Sequence, residues 1–173
     1  SLTNAVVLDG SHADRIKLVV ELYPLVDGGP VPEEWSYDLY EIVKDQRAEA
    51  LSRVDRIRNA NDDLPLMYTN GNAEEMLDPR VSALFAEDVS AFPRTVIISS
   101  EYDYLRYQDE LFAMRLQDAG VDITAIRYRG CDHGFFEMYG VMPQAEDVCR
   151  VIRGEKKTAL LVTHDISEAI SIA

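Results

Sequence analysis

The sequence predicts an α/β fold: a parallel sheet flanked by helices, with a helical cap segment set into it. Three observations point there. From residue 78 onward, apolar runs of strand length alternate with segments of helical periodicity, in the order strand, helix, strand, helix. Upstream, Ile16 to Tyr23 is an almost unbroken apolar run, the pattern of a parallel strand buried on both faces. Between the two, residues 35–58 carry apolar side chains at helical spacing among many charges.

Taken in order, Asn4 to Leu8 is a short apolar run closed by Asp9-Gly10 and reads as a strand or turn. Pro24 and the cluster Asp27-Gly28-Gly29-Pro30 end the strand at 16–23. From Trp35 to Arg58, the residues Leu39, Ile42, Val43, Ala50, Leu51, Val54 and Ile57 predict one amphipathic helix or two. Asn59 to Asn72 reads as a polar loop. Thr95 to Ser99 is the next strand, followed by a helix over Gln108 to Ala119 that Gly120 stops in a left-handed C-cap. Asp122 to Tyr128 forms a strand, and Pro143 to Ile152 a helix opened by proline in its first turn. Strand–helix–strand units of these lengths imply right-handed crossovers. Gly154-Glu155-Lys156-Lys157 then breaks the chain before a short strand at Ala159 to Val162 and a helix start capped by Asp165.

A chain of 173 residues has room for one core. Seventeen basic against 31 acidic residues give a net charge of −14, so nucleic acid and anionic membrane surfaces would be repelled and are excluded as partners. No apolar stretch approaches the ~20 residues that span a bilayer. Cys131 and Cys149 follow no zinc-like spacing and read as free thiols of a reducing compartment, which predicts a cytoplasmic location. No cofactor and no metal is expected.

Two residues carry chemistry by position. Asp103 follows the strand at 95–99, and His133 lies in Gly130-Cys131-Asp132-His133-Gly134-Phe135-Phe136, after the strand at 122–128. An acid and a histidine on successive loops leaving strands match the last two members of a Ser…Asp…His triad in chain order. A carboxylate at one ring nitrogen fixes the tautomer, and the other nitrogen can take a hydroxyl proton and return it to a leaving alkoxide. Alone, Asp103 would be a helix cap and His133 a loop histidine; together they are catalytic candidates. The serine of a G-x-S-x-G turn is not found, so the nucleophile is unknown. Ser11 fails because Asp9 and Ala13 stand where the elbow wants glycines, and no long helix fits before the next strand. Ser99 and Ser100 read as structural.

Further motifs sharpen this reading. Glu21-Leu22-Tyr23-Pro24-Leu25, Asp78-Pro79-Arg80-Val81-Ser82, Glu101-Tyr102-Asp103-Tyr104-Leu105-Arg106, Ala119-Gly120-Val121, His133-Gly134-Phe135 and Pro143-Gln144-Ala145-Glu146 occur in that order. With them, residues 15–152 resemble the C-terminal portion of α/β-hydrolases of the hormone-sensitive-lipase-like esterase group. Ala83 departs from the proline usual after the serine in that group. The resemblance implies a partial α/β-hydrolase domain over 1–154, with a cap at about 30–77 whose Trp35, Tyr37 and Tyr40 either line substrate or cover the sheet. It implies a carboxylesterase-type serine hydrolase acting on a small-molecule ester. Asp103 and His133 are present without the nucleophile or a Gly-rich oxyanion segment, so this chain alone is expected to be inactive. Gly134 would let the backbone pass close to the substrate pocket, and Phe135-Phe136 would anchor the loop. The alternative is a non-catalytic, truncated hydrolase-fold module that forms a homo-oligomer through an exposed sheet edge.

Residues 155–173 look foreign to that domain. Lys157 to Ile170 is similar to the switch-histidine segment of ATP-binding cassette ATPases, with His164 as the histidine. No G-x-x-x-x-G-K-[ST] loop accompanies it, so a nucleotide contact is not expected; a fragment of such an ATPase is the third reading.

Overall fold

The computed structural model describes residues 2–155 and 159–160. The chain runs α1 (Leu2–Asp9), β1 (Leu18–Leu22), α2 (Arg47–Tyr68), β2 (Arg94–Tyr102), α3 (Arg106–Asp118), β3 (Ile123–Asp132), α4 (Pro143–Gly154) and β4 (Ala159–Leu160), with short 3-10 turns between them. The described strands form one parallel sheet in the order β3-β2-β1-β4.

Alternation along β1 and β2 divides the core. Leu18, Val20, Val96 and Ile98 face α4, packing with Val148, Cys149 and Ile152. Val19 and Ile97 face α1 and α3, packing with Val7, Phe112 and Leu116. Because both faces are covered by helices, these strands read as continuous apolar runs. Cys131 and Cys149 are free and buried.

Three expectations are corrected. The run Asn4 to Leu8 is helical, inside α1, where Thr3, Asn4 and Val7 form one buried face at helical spacing. The amphipathic helix begins at Arg47, not in the 35–46 stretch, which makes 3-10 turns at Tyr37–Leu39 and Lys44–Gln46. The segment expected as a polar loop is, up to Tyr68, the second half of α2, buried at Asn61 and Pro65. Pro65 sits in the last turn, where its missing N–H removes a single helical bond. Its carbonyl accepts the Thr69 amide and hydroxyl at 2.9 and 3.0 Å, closing the helix end.

The crossover elements lie where the periodicity placed them. Gly120, at φ +81°, ends α3 in the left-handed conformation that costs a glycine least. The glutamine at the start of α3, Gln108, accepts the amides of Val26 and Asp27 at 2.7 and 2.6 Å and so pins the loop leaving β1. β2 and β3 pair regularly from Thr95 with Ile123 to Ser100 with Tyr128, then break register before Tyr102 pairs with Asp132. Gly130 lies in that irregularity at φ +73°, its amide bound to the Glu101 carboxylate at 2.7 Å.

β4 pairs with Leu18 and Val19 of β1, in the region where a tail strand was expected. Val162, His164, the Asp165 helix start and the rest of the tail resemblance lie outside the described residues. Among the described residues, no helix is long and apolar enough to cross a membrane.

Candidate active site

Parallel strands deliver their following loops to one edge of a sheet, and α3 returns the chain so that the loops after β2 and β3 are neighbours. Asp103 and His133 meet there. His133 Nδ1 lies 2.8 Å from Asp103 Oδ2. The carboxylate is wholly buried, while the imidazole keeps partial exposure. A carboxylate acceptor requires the ring proton on Nδ1, so in the neutral imidazole Nε2 is the acceptor. The second carboxylate oxygen, Oδ1, accepts the Leu105 amide at 3.0 Å, so neither oxygen is left unpaired. Asp132 does not compete for the ring: it faces Arg56 and Arg53 on α2, at 3.6 and 4.0 Å.

The histidine loop is anchored as its sequence suggests. Phe135 and Phe136 are buried in the α4-side core. Gly134 is needed for its left-handed φ of +84°, since a side chain there would meet only ordinary contact with Glu137.

A strained position completes the setting. Tyr23, directly after β1, has φ +37°, a conformation uncommon for a residue with a side chain. The turn lays its ring at 4.5 Å from the His133 ring and 6.1 Å from Phe135. Nothing local in Glu21-Leu22-Tyr23-Pro24 announces this contact.

Beside His133 opens a cavity of about 360 Å³. It runs along the β1 edge at Val20, Glu21 and Leu22, past the start of α1 at Leu2 and Thr3, and under Ile57, Asn61 and Leu64 of α2. Mostly apolar walls with few polar groups suit a small organic ligand. Glu21 is the exception. Burial pushes its carboxyl up to about 7. Asn4 on α1 faces it and favours the charged form a little, without a well-formed hydrogen bond to either carboxylate oxygen. Asp109 on α3, equally buried, is raised well above the usual carboxylate range by burial first, then by the charges of Asp103 and Glu21.

Trp35, Tyr37 and Tyr40 do not line this cavity; they pack on the acid loop against Tyr104 and Leu105. Ser11 lies exposed on the turn after α1, its hydroxyl bound to Asp9, away from the cavity walls. Ser99 and Ser100 are buried in β2. The described residues therefore bring an acid and a histidine together without a serine beside them.

Comparison with known proteins bears on the family and the fold. A profile of the family described as "alpha/beta hydrolase fold" matches residues 2–137. An arylesterase of Saccharolobus solfataricus is 39% identical over 62 residues, covering 36% of this chain and 20% of that protein. Neutral cholesterol ester hydrolase 1 of Mus musculus is 37% identical over 78 residues, covering 40% of this chain and 19% of that protein. Among solved structures, a Pyrobaculum calidifontis esterase superposes with a TM-score of 0.62 at 24% identity, which speaks to the fold. That likeness covers 98% of this chain and 49% of the esterase's, so the chain spans about half the length of the esterase it resembles.

Proposed function

This chain belongs to the alpha/beta hydrolase fold family, and on that premise we propose that it carries the acid and base of a carboxylesterase-type serine hydrolase. The observation behind the reading is the 2.8 Å contact of Asp103 and His133 beside a cavity of about 360 Å³. In this chemistry His133 Nε2 takes the proton of a serine hydroxyl as its oxygen attacks the ester carbonyl, then gives it to the departing alkoxide. Asp103 holds the tautomer and stabilises the imidazolium. The substrate is a small-molecule ester whose apolar part rests against Leu22, Ile57 and Leu64. Neither nucleic acid nor membrane is a partner in this reading, given the charge of −14.

Neither a G-x-S-x-G turn nor a Gly-rich oxyanion segment stands in the sequence, so the chain by itself is expected to be nearly inactive. Hydrolysis of p-nitrophenyl butyrate should show at most general-base assistance, roughly 10² to 10⁴-fold, and His133→Ala should abolish it. Stoichiometric labelling of Ser11 by a fluorophosphonate, with turnover, would overturn this assignment.

A non-catalytic role through association has its own supporting observation. Among the described residues, β3 is hydrogen-bonded on one side only, and β4 pairs with β1 only at Leu18 and Val19. Open edges of this kind template pairing with another chain. Sedimentation velocity is expected to show dimers or larger species. A compact monomer at every concentration would count against it.

A further inference from the structure

Asp103 is gripped at its side chain by His133 and Leu105, and at its main chain from the cap. The Tyr40 hydroxyl donates to the Asp103 carbonyl oxygen at 3.0 Å and accepts the Trp35 Nε1–H at 3.1 Å. Since the indole can only donate, the phenolic proton is directed at Asp103. Arg106, in the first turn of α3, locks the arrangement. Its guanidinium lies 4.7 Å from the centre of the Tyr40 ring, and Nη2 donates to the Leu39 carbonyl. Trp35 packs edge-on against Tyr104 at 5.3 Å. The short segment 35–40 thus touches each of the residues from Asp103 to Arg106 or their common core.

We propose that Tyr40 is a positioning residue, which holds the Asp103 main chain from the cap and thereby sets how the carboxylate meets His133. The inference rests on reading Asp103 and His133 as acid and base. A phenylalanine ring would serve packing alone, and burying a hydroxyl is costly unless both its bonds are made. Burial also raises the Tyr40 phenol far above its ordinary value, so it remains a donor throughout the neutral range. A second tie from the cap is weaker: Arg56 on α2 donates to the His133 carbonyl at 3.3 Å from an exposed position. The cap therefore grips both partners by their backbones.

The test is imidazole NMR on the full chain, following the His133 Nδ1 proton and its exchange with solvent. The wild-type chain is expected to show this low-field proton, and Asp103→Asn to shift or remove it. Its absence from the wild type would sink the acid–base reading itself, before Tyr40 is at issue. With the resonance present, Tyr40→Phe is expected to accelerate exchange about tenfold, near the upper net worth of one hydrogen bond. Tyr37→Phe should leave it unchanged, because the Tyr37 hydroxyl bonds to Asp55 in the same aromatic cluster without reaching Asp103. Exchange in Tyr40→Phe within about twofold of wild type, or equal acceleration in Tyr37→Phe, overturns the proposal. Should Tyr40→Phe not fold, Trp35→Phe removes the donor that directs the phenol; it is expected to accelerate exchange, and no acceleration there equally overturns it.

Discussion

Glu21→Gln is expected to stabilise the folded chain by about 3 kcal/mol above pH 7, relative to wild type, and by under about 1 kcal/mol at pH 5. Burial raises the carboxyl from 4.5 in the unfolded chain to about 7 in the fold. Below 4.5 it is neutral in both states and costs nothing. Between the two values the unfolded chain has released a proton that the native chain retains, so wild-type stability falls as pH rises. Above about 7 the native chain holds a buried charge and the full cost is present. Glutamine has no such proton. Asp109 carries the same sign, and removing the Glu21 charge also relieves Asp109, so the two titrate as a coupled pair. Urea unfolding from pH 5 to 8.5 checks this. Parallel stability curves for the two chains would mean that Glu21 reaches solvent or a partner.

Phe112→Ala is expected to cost about 3–5 kcal/mol, a large part of the ~5–15 kcal/mol that holds a domain together. Phe112 is fully buried on α3 and packs edge-on against Phe92 at 5.6 Å, between Val19, Ile97 and Leu116. Truncation leaves a cavity walled by two strands and a helix, which cannot collapse onto it. The effect extends to the site, since α3 is the crossover that places the Asp103 and His133 loops side by side. Chemical denaturation with an unchanged m-value measures the loss. A cost below about 1.5 kcal/mol would indicate that this face of the core repacks freely.

The β–α–β region was legible because its strands and helix each obey one period and end on a strong signal, as α3 ends on Gly120. Asp103 and His133 were legible for the same reason: position after a strand decides where a loop goes. α1 was not, because four consecutive apolar residues with adjacent valines suit a strand as well as a helix, and only packing of Val7 on the sheet decides. Ahead of α2, aromatic contacts to Tyr104 and Leu105 hold 35–46 out of a helix. Pro65 hid the end of α2, although a proline near a helix terminus removes little. The surroundings of the site were hidden more deeply. Tyr23 on the imidazole, Tyr40 on the acid's carbonyl and Glu21 against α1 and α3 are contacts across the fold, invisible to any local window.

The irregular pairing of β2 with β3 has a consequence for which changes of length the protein tolerates. Up to Ser100 and Tyr128, each residue of β2 faces the one 28 positions later; from Tyr102 and Asp132 onward the interval is 30. Asp103 and His133 are also 30 apart. The surplus residues around Gly130 act as a shim, carrying the histidine forward until it is level with its acid. Without them Asp103 would stand opposite Cys131, with the imidazole displaced by two residue rises, roughly 6–7 Å along the strand. Removing a single residue would be worse, since it also turns every later side chain of β3 to the opposite face. This stretch is therefore a calibrated length: substitutions on its exposed side are cheap, whereas one residue gained or lost separates acid from base while the sheet beneath still forms.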